Sequence, residues 1–180
     1  MIFLETERLL FRTHEDHDEP DFIAMHTDAE VRRYVGGQPW PLKKAKDRFR
    51  NQFLGQPTET YGLWAAILKE EGRYIGCCGL RATQDGSAQN GSAAHLGYYF
   101  ARPYWRRGLA SEASKAFIDV AFGRLGLLRL MADVQEGNVG SEKILLKFGF
   151  KYVSHEEIPI SGRVIVSYEL SRVEWNAGSA

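Results

Sequence analysis

The chain has 180 residues, 44% of them apolar and 12% aromatic, enough for one domain that buries roughly 70% of its unfolded surface without a disulfide or metal staple. Its 23 Lys+Arg balance 23 Asp+Glu, so the basic surplus that non-specific nucleic-acid binding requires is missing. No apolar run reaches the ~18 residues of a membrane span, and Met1-Ile2-Phe3-Leu4-Glu5 has no basic region followed by a long apolar run, so a secretory signal is not expected.

In chain order, Leu4-x-Thr6 and Leu9-x-Phe11 suggest a first strand, ended by the polar run from His14 to Glu19. Pro20 can open a helix with Phe22, Ile23 and Met25 on its apolar side. A second helix is expected over 29–35, closed by Gly36-Gly37, and a third where Leu42, Ala45, Phe49 and Phe53 recur at helical spacing. Strands over 61–68 and 74–80, joined at Glu70-Glu71-Gly72, read as a hairpin. Cys77 and Cys78 are adjacent there; neighbours on a strand face opposite ways, so no disulfide framework is expected and a reduced, cytoplasmic protein is. Residues 83–93 are a polar loop and 94–100 a strand. The next helix carries Leu109, Ala113, Ala116, Phe117, Val120 and Ala121 on one face. Residues 127–134 form a nearly unbroken apolar run, read as a central strand covered on both faces. Asn138 starts a helix with Ile144, Leu145 and Phe148 inward and Gly149 at its end. Strands over 150–154 and 164–170 close a single domain, 1–175, and residues 176–180 read as a flexible tail. This order implies an α/β fold with a mixed sheet and helices on its faces.

The segment Tyr98-Tyr-Phe-Ala-Arg-Pro-Tyr-Trp-Arg-Arg-Gly108-Leu-Ala110-Ser-Glu carries the chemistry. A strand ends, a basic turn follows, and small residues open a helix. Amide hydrogens of a helix first turn have no acceptor within the helix and suit a pyrophosphate. Gly108 would let backbone come close, Ala110 keeps the next turn free of bulk, and Arg106 and Arg107 can add charge-assisted contacts. An ordinary turn with solvated arginines accounts for the same residues.

Downstream comes Asn138-Val-Gly-Ser141 and then Phe148-Gly149-Phe150. Together the two segments resemble the GNAT superfamily of acetyl-CoA-dependent N-acetyltransferases. Glu7-Arg8-Leu9, Ile75-Gly76, Leu96-Gly97-Tyr98 and Ala121-Phe122-x-x-Leu125-Gly126 also resemble the branch that acetylates ribosomal-protein N-termini. The resemblance implies a mostly antiparallel central sheet of about seven strands, with a V-shaped splay between its fourth and fifth strands. It implies acetyl-CoA as donor, with Tyr98, Tyr99 and Phe100 along the pantetheine and a backbone N–H there polarising the thioester carbonyl. Arg106, Arg107, Gly108, Leu109, Ala110 and Ser111 would surround the pyrophosphate, and Asn138 would reach the pantetheine, with a helix cap as its other reading. Trp105 stands where the family often has Gln or Arg.

Transfer in this family is direct, and the amine must lose a proton. Asp133, which interrupts the apolar run, and His95, whose imidazole has a suitable ordinary pKa, are the candidate bases, with Glu136 behind them; a salt bridge or a plain strand-end histidine are the competing readings. Some relatives use a Tyr acid where this chain has Leu145; Ser141 is the replacement the branch suggests, and it could equally cap the helix. His14, His17 and His26 lack the spacing of a metal-ligand set, so no metal is expected. Lys43 to Arg50 reads as a solvated helix face, and the acidic stretch 14–21 as an attractor for a cationic amine. The acceptor is an amine: a protein N-terminus, a small amine such as a polyamine or amino sugar, or none if the fold is an acyl-CoA sensor. Neither nucleic acid nor membrane is expected as a partner, and a homodimer is open, since dimers occur among similar proteins.

Overall fold

The computed structural model describes residues 1–57, 61–83, 92–159 and 161–178. Eight strands hydrogen-bond in the order β1-β2-β3-β4-β5-β6-β8-β7. The expected seven become eight because residues 4–11 are not one strand. Thr6 N–H donates to Leu9 O at 2.8 Å, and β1 (Ile2–Glu5) folds back antiparallel on β2 (Leu9–Arg12). The chain divides into two compact units, one formed by 1–79 with 98–113, the other by 80–97 with 114–180.

In the first unit, β2 pairs antiparallel with β3 (Gly62–Leu68), which a turn joins to β4 (Arg73–Arg81). Leu68 O accepts from Glu71 N and Gly72 N at 3.1 and 2.8 Å, and Gly72 takes φ +61°, as the Glu-Glu-Gly signature requires. Helices α1 (Glu19–Thr27), α2 (Ala29–Arg33) and α3 (Leu42–Arg48) follow their start signals. Pro20 lies in the first turn of α1, and Asp28 Oδ1 accepts from Glu30 N at 2.8 Å to cap α2. A wide turn, Phe49–Phe53, prolongs α3. Phe22, Met25, Val31, Phe49, Ala65, Ile67 and Tyr74 pack into this unit's core.

In the second unit, β5 (Ala93–Phe100) enters beside β6 (Arg129–Gln135). Their parallel register covers three residue pairs, Ala93–His95 against Arg129–Met131, at the start of both strands. On its other side β6 runs antiparallel to β8 (Arg163–Ser171) over seven pairs, and β7 (Lys151–Ile158) pairs outside β8. The sequence read β6 as covered on both faces; in the fold it alternates. Leu130, Ala132 and Val134 are buried, while Arg129 and Asp133 are exposed and Met131 and Gln135 half-buried. The period of two was hidden because Met131 is as apolar as its buried neighbours.

Helix α4 (Leu109–Asp119) has Leu109, Ala113, Phe117 and, in the turn beyond, Ala121 buried, much of the expected stripe. Helix α5 (Val139–Lys147) starts on Asn138, whose Oδ1 accepts from Ser141 N at 3.2 Å, and buries Leu145; Ile144 and Phe148 are half-buried. Residues 176–178, read as tail, complete helix α6 (Arg172–Gly178), whose first turn is capped by Ser171 and Glu174. The expected polar loop over 83–93 lies largely outside the described residues, as do the last two residues.

Candidate active site

The turn that opens α4 belongs to the first unit. Arg102–Tyr104 make a short 3-10 turn, and the Trp105 indole N–H donates to Phe100 O at 2.7 Å. Trp105 therefore ties the loop back to the end of β5, a structural use of the position where the family often carries Gln or Arg. Arg106 then takes φ +60° and Gly108 φ +78°. Arg106 is the one non-glycine residue with positive φ among the described residues, and such strain persists where surrounding contacts enforce it.

Those contacts come from the amino-terminal turn. Arg8 Nη1 donates to Arg107 O at 2.9 Å, and Arg8 Nε donates to Glu112 Oε2 at 2.7 Å. The Arg8 backbone N–H (2.9 Å) and Thr6 Oγ1 (2.5 Å) both donate to Glu112 Oε1. Burial would raise the Glu112 pKa, but hydrogen bonds from Thr6 and Arg8 overcome it and hold the carboxyl below its usual range. The loop thus rests on a charged brace between the first turn of α4 and residues 6–8. The sequence offered Thr6, Arg8 and Glu112 only as members of separate patterns and not as a brace, because the partners lie about a hundred residues apart.

Arg106 and Arg107 are both exposed; Arg107 sits 5.4 Å over the Tyr104 ring and 3.7 Å from Glu71 Oε1. At Gly108 an added Cβ would meet nothing nearer than Arg8 Nη2 at 3.4 Å. Glycine is needed there for its left-handed backbone rather than for lack of room. Leu109 is 1% exposed, so that residue offers a ligand its backbone alone. Tyr98 and Tyr99 are half-buried and Phe100 is buried.

The second unit gathers a different group. His95 opposes Met131 across the parallel register, which puts it on the same face as Asp133 two residues on. His95 Nδ1 lies 3.5 Å from Asp133 Oδ2, and Ser167, the antiparallel partner of Asp133, donates from Oγ to Asp133 Oδ1 at 2.8 Å. The contact of His95 with Asp133 is an ion pair only when the imidazole is protonated, and His95 Nδ1 makes no hydrogen bond. Both side chains stay partly open to solvent, His95 at 27% and Asp133 at 38%. Ser167 went unnoticed in the sequence. Its signal was the polar alternation Arg163, Ser167, Glu169, Ser171 along β8. Asn138 does cap its helix, through Oδ1; Ser141 is half-buried in the same first turn, and Glu136 is exposed.

Three carboxylates of the acidic stretch are held within the fold, while Asp16 stays exposed. Asp18 is 1% exposed and takes Arg12 Nη1 and Nη2 at 2.7 and 2.8 Å. Glu19 accepts from Arg50 at 2.8 and 2.9 Å, and Asp21 from Arg73 at 3.0 and 2.6 Å. These carboxylates are neutralised by the chain's own guanidinium groups. Lys43 and Arg48 stay on a solvated helix face, as read.

The first unit thus presents a strand end, a strained basic turn and a helix N-terminus, and the second unit a histidine–carboxylate pair at a short parallel register. Residues 8–151 match the family described as an acetyltransferase (GNAT) domain. The chain is 32% identical over 149 residues to "Uncharacterized N-acetyltransferase YoaA" of Bacillus subtilis (strain 168), covering 82% of each. It is 31% identical over 153 residues to "Uncharacterized N-acetyltransferase p20" of Bacillus licheniformis, again 82% of each. Among solved structures, a GNAT-family acetyltransferase from Bacillus anthracis superposes with a TM-score of 0.81 at 22% identity, over 97% of this chain and 100% of that one. The chain belongs to the GNAT family and is an N-acetyltransferase. That family takes its acetyl group from acetyl-CoA.

Proposed function

We propose that this protein moves an acetyl group from acetyl-CoA to a primary amine, and that the amine is a protein N-terminal α-amine. The family membership supports the reaction, and the matching pieces around Arg8, Gly76, Gly97 and Phe122 support the acceptor. The observation that carries the mechanism is the His95–Asp133–Ser167 line.

Residues 106–111 hold the pyrophosphate, with Arg106 and Arg107 adding charge and Gly108 setting the turn. Tyr98, Tyr99 and Phe100 offer strand backbone to the pantetheine, and the Asn138 side-chain amide donates to it. Acetyl-CoA brings the acetyl group as a thioester. An ammonium has no lone pair, so a group of the protein must take its proton. Ser167 fixes the Asp133 carboxylate, and His95 Nδ1, buried and without a hydrogen-bond partner, lies 3.5 Å from Asp133 Oδ2, close enough for the carboxylate to stabilise a proton there. His95 Nε2 is then left to accept the proton of the amine, with Asp133 stabilising the imidazolium. The Ser141 hydroxyl serves as proton donor to the departing thiolate.

The test is thiol release from acetyl-CoA with a panel of short peptides and small amines. Asp133→Asn is expected to lower kcat at least tenfold while CoA affinity stays within twofold; an unchanged rate removes Asp133 from the proton path. Gly108→Val, forced into the left-handed region, is expected to weaken CoA binding at least tenfold in calorimetry. Equal turnover of small amines and peptides would overturn the N-terminal acceptor and leave the reaction class intact.

A further inference from the structure

One face of the second unit's sheet carries more than the proton-transfer pair. Asp133 opposes Ser167 and Gln135 opposes Ile165 in the antiparallel register, so these side chains and Arg163, two residues before Ile165, share a face. Gln135 Oε1 and Arg163 Nε and Nη1 are screened from solvent and have no hydrogen-bond partner. Buried donors and acceptors without partners are costly, and a guanidinium especially so. Several other arginines are paired with carboxylates: Arg12 with Asp18, Arg8 with Glu112, Arg50 with Glu19, Arg129 with Glu169. Glu156, which opposes Ile165 from β7 on that same face, is exposed and leaves those two Arg163 nitrogens unpartnered.

We propose that Gln135 and Arg163 are a recognition point for a carboxylate on the acceptor. This rests on the reading that the amine is deprotonated at His95 and Asp133. Gln135 lies one same-face step along β6 from Asp133, about 7 Å, and Arg163 lies two such steps along β8 from Ser167, about 13 Å. His95, the proton acceptor, lies one same-face step further back, opposite Met131, so the acceptor carries its acid more than one such step, roughly 7 Å, from its amine. That excludes a simple α-amino acid, whose two groups are closer, and suits either an ω-amino acid or a peptide with an acidic side chain near its N-terminus. The peptide also brings a backbone N–H for Gln135 Oε1, while its carboxylate takes the Arg163 donors.

Two matched pairs distinguish the sources: 6-aminohexanoate against hexylamine, and Ala-Glu-headed against Ala-Gln-headed peptides. The acid-bearing member of at least one pair is expected to have a kcat/KM at least tenfold higher. Arg163→Met is expected to reduce that preference below about threefold while leaving the rate on the neutral member within threefold, and Arg163→Lys to keep part of the preference. Gln135→Leu repeats the test should Arg163→Met fold poorly by circular dichroism. Calorimetry with 6-acetamidohexanoate against N-hexylacetamide, and with the acetylated peptides, needs no turnover. Carboxylate-selective binding that Arg163→Met abolishes, without turnover, would sustain this inference and overturn the proton-transfer reading. Turnover with equal rates for both members of each pair would overturn this inference alone. Absence of selectivity in rate and in binding, or a preference that survives Arg163→Met, refutes it.

Discussion

His26 is 2% exposed, stacked on Trp40 at 4.3 Å and against Phe22 at 4.3 Å. Burial first, then the charges of Arg32 and His14, lower its pKa from 6.5 to about 3. His14, 1% exposed, is shifted down as well, again by burial. Both are neutral in the folded state, whereas the unfolded chain takes up protons near its ordinary pKa of 6.5. Their contribution is thus fully present above pH 6.5 and is lost as pH falls from there toward about 3. The unfolding midpoint is expected to drop between pH 7 and pH 4.5, and His26→Phe to reduce that drop by at least about 3 °C. Parallel melting curves for the two proteins across that interval would refute the assignment.

Between β3 and β4, one glycine faces backbone that leaves no room for a side chain. A Cβ on Gly79 would lie 1.8 Å from Gly62 O and 2.9 Å from its carbonyl carbon. Backbone cannot step aside as a long side chain can, so Gly79→Ala is expected to cost about 2–3 kcal/mol, a fall of roughly 5–10 °C in melting temperature. Gly123→Ala, with nothing within 4 Å, serves as control and should stay within about 0.5 kcal/mol. The elements also show what a sequence can reveal. The β3–β4 turn, the cap at Asn138 and the strand–turn–helix around Gly108 are local and were legible from neighbouring residues. The break at residues 6–8 is missed by joining Leu4-x-Thr6 and Leu9-x-Phe11 into one strand, although the alternation changes phase between them, where Thr6 N–H bonds Leu9 O. The brace of Arg8 and Glu112 and the contact of His95 with Asp133 come from long-range pairing, which no local pattern encodes.

Over the whole chain, charge is sorted by position and then cancelled in space. Residues 1–30 hold nine acids against two bases, and residues 31–54 seven bases against one acid. Arg50 reaches back to Glu19, Arg73 holds Asp21, and Arg12 keeps Asp18 inside. Net charge is zero and the isoelectric point is near 7.0. With the carboxylates of α1 already matched, the protein projects little long-range field, and a cationic acceptor would meet it by unguided diffusion. Stopped-flow capture of such an amine should therefore change less than about twofold between about 20 and about 300 mM salt, where a steered encounter would slow severalfold. Selection among amines is then left to short-range fit after collision, rather than to attraction at a distance.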